Sequence, residues 1–444
     1  MYSKRGAFLS VVLAAAVLLQ TGLAQASSET DALLNKLVEK GILTVSEAQE
    51  VRNEAAGGSK ERATAQEADV KETASKMPGG SWLSTVKWSG DLRLRHETQF
   101  RDTSSSGADT PNRNRERFRL RFGFTAKPMD PLEIGVRLGT GTSGDPIAPN
   151  QSFTNTFDKK AIFIDKAYAK YTPQQWVSMI GGKMDNPFLY TDLVWDPDTT
   201  PEGAAVQLKS PEPLPVLKEW LPVQPFVNAG AFALGEINNA KKGHPSVWGI
   251  QGGANIDLPF EGMTFQPSVA YYDFGEIKGN TVASVTTASA GAAGNTTSGG
   301  KWVFDYNELD ILGRLTIPDV LGQPVVFVGD AVWNVAQSSA DSAIGKIDNI
   351  GGWQAGVEVG KVTEKLGSLK GFYYFKRLES NAVFGPLTDS DFGAGGTNHF
   401  GHIFGAQVGL NKWASVGLKY FRTDEIIGSQ NHNDTLQADV QTVF

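Results

Sequence analysis

The chain has no cysteine and only five histidines in 444 residues. Without thiols there is no disulfide framework, no thiolate nucleophile and no cysteine-rich zinc site. Basic excess is lacking too. Lys and Arg number 41 against 48 Asp and Glu, a formal net charge of −7, which gives no reason to expect a nucleic-acid partner. After Ala7 to Leu19, no segment approaches the roughly twenty apolar residues that a membrane-spanning helix needs. If so polar a chain crosses a bilayer, it does so as a closed β-barrel, whose backbone groups are satisfied strand to strand.

Three regions follow from what is present. Lys4 and Arg5 precede the apolar run Ala7 to Leu19, and Ala24-Gln25-Ala26 follows it. That pattern predicts a signal peptide over residues 1–26, cleaved after Ala26, and export from the cytoplasm. Residues 27–81 read as a short periplasmic helical segment and linker. Leu33, Leu34, Leu37 and Val38 recur at helical spacing, Gly41 interrupts them, and Thr44-Val45-Ser46-Glu47 is a capping box. The segment suits a helical hairpin or an oligomerisation element, and equally a loosely attached amphipathic leader. From residue 82 to 444, β-branched and aromatic residues rise and period-two alternation takes over.

Arg117-Phe118-Arg119-Leu120-Arg121-Phe122-Gly123-Phe124 alternates basic and apolar residues, a pattern natural for a strand between two media. Similar segments predict about sixteen strands, starting near 86, 115, 132, 161, 177, 203, 225, 246, 263, 302, 325, 349, 368, 400, 414 and 435. Short connections such as 127–131, 318–324 and 411–413 alternate with long polar ones such as 141–159, 275–300, 378–399 and 424–434. The expected fold is therefore all-β, an up-and-down transmembrane antiparallel barrel around an aqueous lumen. A soluble propeller or β-helix would show a repeat of fixed length, which this chain lacks. In the last segment Leu436, Ala438, Val440, Thr442 and Phe444 share one face, and Gln437, Asp439 and Gln441 the other. It resembles the closing strand of bacterial outer-membrane proteins, and the resemblance implies that Phe444 lies at the periplasmic membrane boundary and is read by the barrel-insertion machinery.

The segment after the fifth predicted strand is distinctive: Gly181-Gly182-Lys183-Met184-Asp185-Asn186-Pro187-Phe188, then Asp192, Asp196, Asp198 and Glu202. Alternation puts Arg93, Arg95, Arg117, Arg119 and Arg121 on the lumen face. Walls of fixed charge are how a wide pore selects solutes. The expectation is an eyelet, with these arginines on the wall facing Lys183, Asp185, Asp192, Asp196, Asp198 and Glu202 on an infolded acidic loop. The competing arrangement is a surface loop with solvated aspartates, the arginines being paired with strand carboxylates such as Asp91 and Glu133. No catalytic or metal-binding residue is expected. His399-x-x-His402 does not place both rings on one strand face, His96 falls on the lipid side without a serine in register, and the Gly pairs lack a phosphate-loop context.

The signal peptide, the leader Leu33-Leu34-x-x-Leu37-Val38-x-Lys40-Gly41-Ile42-Leu43-Thr44, the Gly-Gly-Lys…Asn-Pro-Phe stretch and terminal Phe444 together resemble the "putative porin" family of Gram-negative bacteria. The resemblance implies passive diffusion of small hydrophilic solutes through the outer membrane, among outer-membrane lipids, as a homotrimer, with no cofactor. In sixteen-stranded porins the loop at this ordinal position narrows the channel. The rival readings are a structural or adhesive barrel tethered through the helical segment, and a barrel-borne lipid hydrolase.

Overall fold

The alternating segments are realised as sixteen strands, each antiparallel to its sequence neighbours, and the last pairs with the first. The computed structural model describes residues 36, 39–40 and 80–444, apart from 103–111, 143, 215–220, 238–242, 288–289, 337–347 and 429–430. The expected signal peptide and most of the helical leader lie outside the described residues. The chain divides into two units, Met1–Val86 and Lys87–Phe444. In the first, Gly80–Thr85 forms a 3-10 turn in which the Thr85 hydroxyl donates to the Trp82 carbonyl at 2.6 Å.

The second unit is the barrel. Its strands are β1 (Lys87–Asp102), β2 (Arg113–Met129), β3 (Leu132–Thr140), β4 (Ile162–Gln174), β5 (Val177–Lys183), β6 (Glu202–Lys209), β7 (Val223–Ala233) and β8 (Ser246–Asp257). They continue with β9 (Thr264–Gly275), β10 (Tyr306–Val320), β11 (Gln323–Asn334), β12 (Gly351–Gly360), β13 (Leu369–Leu378), β14 (His399–Gly409), β15 (Ala414–Glu425) and β16 (His432–Val443). Closure comes from twelve residue pairs between β1 and β16, from Asp91↔Val443 to Asp102↔His432. The Gly90 and Phe444 backbones extend the seam, exchanging N–H···O bonds of 2.8 and 3.0 Å. Closure leaves no unpaired edge. The predicted starts fall within four residues of the observed ones. The largest error is at β10, because Lys301–Trp302 instead pairs with Thr297–Ser298 within a connection.

Register fixes which side chains face which way. Trp88, Leu94, Phe122, Ile164, Trp248, Ile250, Ile311, Phe327, Trp353, Phe404 and Leu418 form an exposed apolar exterior. A soluble monomer rarely exposes so wide an apolar surface. Inside, two territories differ. From β6 to β13 the wall presents Ala205, Phe232, Val247, Tyr272, Phe274, Tyr306, Val332 and Leu378 to a buried apolar cluster. Connections add Phe188, Leu193, Val194 and Trp195 from 184–201, Val285 and Trp302 from 276–305, and Val383, Phe384 and Leu387 from 379–398. Trp302 packs on Phe384 with ring centroids 5.2 Å apart, and Trp195 on Tyr272 at 5.4 Å. The sequence reading expected 275–300 and 378–399 to be polar outer loops. Their buried aromatics and aliphatics draw them instead into the barrel, where they fill one side.

Candidate functional site

The opposite territory, from β14 through β16 to β1, β2 and β3, carries the charge. Cross-strand pairing sets Arg93 opposite Arg119, Arg95 opposite Arg117, Glu97 opposite Arg115 and Asp91 opposite Arg121. Like charges directly opposite repel, so the ladder needs carboxylates, and neighbouring elements supply them. Asp91 accepts from Arg119 and Arg121 at 2.8 and 2.7 Å. Asp439 takes a two-pronged bond from Arg95, both prongs 2.8 Å. Glu97 accepts from Arg115, and from Arg117 at 3.3 Å.

The connection 184–201 leaves the wall after the short β5 and crosses the lumen. Asp192 meets Lys376 of β13 at 2.9 Å, while Asp198 meets Arg119 and Arg121 of β2 at 3.3 and 3.0 Å. Thr191 donates to Asp330 of β11. The connection is thus tied to both territories. Burying each of Phe188, Leu193, Val194 and Trp195 stabilises it by roughly 1.5–3 kcal/mol. The segment 379–398 packs on it: Thr388 donates to the Leu193 carbonyl, and the Leu387 carbonyl accepts from the Asp196 amide. Asp389 shares fully buried Lys376 with Asp192, at 3.1 Å. Asp391 reaches Arg95 at 3.2 Å.

Surroundings shift the acidity of two carboxylates on the infolded connections in opposite directions. Burial pushes Asp196 well above the usual carboxylate range, and Asp198 and Asp389 add to the shift; the Asp198 and Ser390 amides donating to it oppose this. Asp391 lies below the usual range, because Arg95, Lys419, Arg93 and Arg117 together outweigh its burial.

The predicted residues therefore divide. Arg93, Arg95, Arg117, Arg119 and Arg121 share the lumen face, and Asp192, Asp196 and Asp198 lie on the infolded connection near charged partners. Lys183 and Glu202 oppose each other at the ends of β5 and β6 and bond at 2.9 Å. The Lys183 ammonium also donates to the Thr200 carbonyl of the infolded connection at 3.1 Å. Both residues line, with Trp195, Asp198 and Thr199, a separate cavity of about 750 Å³. Asp185 is largely exposed and pairs with Lys166 of β4. The competing arrangement also holds in part: Asp91 does pair with the arginines, whereas Glu133 accepts from the Tyr168 hydroxyl at 3.2 Å.

Sequence reading missed Lys376, Asp389, Asp391, Lys419 and Arg314. The signal was present in Val383-Phe384-Gly385-Pro386-Leu387, an apolar run too greasy for a solvated loop, directly before Thr388-Asp389-Ser390-Asp391.

Three cavities that share lining residues border the charged territory. The one toward the long connections is about 320 Å³ and includes Arg101, Arg113, Arg115 and Arg117. It shares Ser390 and Asp391 with a middle cavity of about 300 Å³ containing Arg93, Arg95, Arg119 and Lys419. The middle one shares Asp192, Pro197, Phe372 and Lys419 with a third, of about 530 Å³, containing Arg314 and Lys370.

The histidines lie elsewhere. His96 faces outward, with Nδ1 2.7 Å from Glu116 and Nε2 3.1 Å from the Thr98 hydroxyl. His402 bonds the Tyr373 hydroxyl at 3.0 Å, while His399 stacks edge-on against Phe392. Among the described residues no group of three His, Asp or Glu side chains is arranged to hold a metal ion.

Comparison with solved structures finds similar chains. Pseudomonas putida OprB at high pH shares 9% identity, with 81% of this chain and 94% of that chain covered and a TM-score of 0.51. The Acinetobacter baumannii outer membrane channel DcaP gives 14% identity, coverages of 81% and 97%, and a TM-score of 0.43. Salmonella typhi OmpF in complex with daunomycin gives 11%, 81% and 97%, and 0.45. No curated protein sequence matches the chain. A family model described as "Putative porin" matches residues 106–304 and 302–444. That match spans most of the chain and all but the first of the sixteen strands, so the chain belongs to the putative porin family: it is a porin, a channel-forming β-barrel.

Proposed function

We propose that the chain lets small hydrophilic solutes diffuse passively across the outer membrane, through a channel held off-centre against the arginine wall. The connection 184–201 sets its bore. The observation that carries this reading is the pairing of Asp198 with Arg119 and Arg121 while Asp192 reaches Lys376 on the far wall. A segment fastened to both walls of a closed barrel narrows whatever passes. The apolar filling behind it, from β6 to β13, confines water to the charged side. Arginines on the wall and carboxylates on the loop set up a transverse field that orients polar solutes and disfavours apolar ones. No step calls for a cofactor or an energy source. The reading includes export by the predicted signal peptide, insertion by the barrel machinery and assembly as a homotrimer in outer-membrane lipid, for which the apolar exterior provides a suitable face. Replacing residues 185–201 with a short Gly-Ser linker should raise unitary conductance in planar bilayers. An unchanged conductance would remove the eyelet from the account.

A further inference from the structure

The charges beside the path are not equivalent. Each carboxylate lining the three cavities already has a partner. Glu97 is held by Arg115 and Arg117, Asp391 and Asp439 by Arg95, and Asp192 and Asp389 by Lys376. Asp198 is held by Arg119 and Arg121, and Glu358 by Lys370 and the Tyr374 hydroxyl. Asp196 accepts two backbone amides, those of Asp198 and Ser390, and Asp145 accepts those of Ile147 and Ala148. Two cations of the middle cavity stand apart from this pattern. Arg93 donates through one terminal nitrogen to the Asn150 amide oxygen at 2.8 Å, and its buried Nε has no acceptor. Lys419 rests over the Phe421 ring, 4.5 Å from its centroid, and forms no ion pair among the described residues, although its charge acts on Asp192, Asp389 and Asp391 nearby. Around them the same cavity presents Asn150, Gln407, Gln441, Ser390 and Ser415, all neutral hydrogen-bonding groups. Arg314, on the next cavity, donates to the Tyr190 carbonyl at 3.1 Å, and its buried Nε has no acceptor among the described residues. Among the described residues, the charged side chains of these cavities that lack a direct ion pair are therefore cations.

We propose that the channel prefers small anions, and that Arg93 and Lys419 form its central binding site for small organic carboxylates. The inference rests on the reading of the cavities as the solute path. A planar guanidinium with a spare N–H matches an oxyanion in the two-pronged manner a carboxylate accepts. Lys419 supplies a compact second charge on a flexible stem, and the surrounding amides and hydroxyls replace lost water. A cavity of about 300 Å³ has room for a few-carbon acid. The aspartates that share its lining, among them Asp192, Asp391 and Asp439, keep the hold on an anion loose enough for it to leave for Arg314 or return toward Arg117, which conduction requires.

The test uses the full-length protein in planar bilayers under a potassium chloride gradient, then with acetate or succinate in place of chloride. The wild type should show a reversal potential of anionic sign and brief succinate-dependent current blocks. A unit charge about 4 Å from a hydrated ion is worth roughly fivefold in water, so Arg93→Gln with Lys419→Gln should cut the anion-to-cation permeability ratio several-fold. Arg93→Lys should keep the chloride preference while shortening succinate blocks, because charge remains but the planar fork is lost. A wild-type channel that conducts but prefers potassium overturns the proposal, as does a conducting double variant with an unmoved reversal potential. Absence of conductance from the wild type would instead defeat the porin reading on which it rests. If the double variant does not insert, the sign of the wild-type reversal potential and the Arg93→Lys comparison still decide.

Discussion

Lys376 offers the sharpest perturbation. Its ammonium is fully buried on β13 and holds Asp192 at 2.9 Å and Asp389 at 3.1 Å, joining two infolded connections to the wall. Lys376→Met keeps most of the stem but leaves two carboxylates facing each other without a cation. Removing one partner of a buried pair costs about 3–5 kcal/mol. Asp192 is a quarter exposed and retains some water, so the lower end, about 3 kcal/mol, is the better figure here. Since 1.4 kcal/mol is a factor of ten, that cost shifts the docked-to-undocked equilibrium of the connections roughly a hundredfold. It does not strip them from the barrel, because Leu193, Val194 and Trp195 still contribute roughly 1.5–3 kcal/mol each through burial. Single-channel recordings should therefore show a mean conductance close to wild type, with brief excursions up to about a hundredfold more frequent. Adding Asp389→Asn removes one of the opposed charges and should restore part of the quiet trace. Excursions as rare in Lys376→Met as in the wild type would refute the tether.

Two further outcomes follow from the same geometry. Asp196 is held above the ordinary carboxylate range, so its contribution to docking is fully present below the unfolded carboxyl value and is lost as pH rises through the raised one. Anion preference should fall across that rise as the eyelet gains a negative charge, and Asp196→Asn should flatten this part of the reversal-potential profile; an identical profile in the variant counts against it. At the closing seam, a Cβ on Gly90 would press on the Phe444 ring and lie 2.8 Å from the Arg121 carbonyl. Overpacking of this kind costs about 1–3 kcal/mol, so Gly90→Ala should lower the thermal unfolding temperature of the detergent-solubilised barrel, and an unchanged temperature would contradict the tight seam.

The barrel was legible because membrane strands must alternate, and Arg117 to Phe124 or Leu436 to Phe444 show period two without ambiguity. The arginine wall followed from the same alternation. What the connections do was less legible, since irregular backbone has no periodicity to reveal where its side chains point. Phe384 and Leu387 look like loop residues until Trp302 and Phe274 are seen beneath them. Lys376 was hidden in Tyr373-Tyr374-Phe375-Lys376-Arg377, where aromatics on both faces mask the alternation.

The absence of native cysteine makes the central claim directly measurable, because a single introduced thiol has no competitor. Gln441 lines the middle cavity and pairs with Arg93, while its neighbour Val440 lies on the opposite face of β16. In a conducting bilayer, a charged, membrane-impermeant methanethiosulfonate should produce stepwise loss of current in Gln441→Cys and none in Val440→Cys. Steps in Val440→Cys, or current unchanged in both, would contradict a water-filled path along the arginine wall.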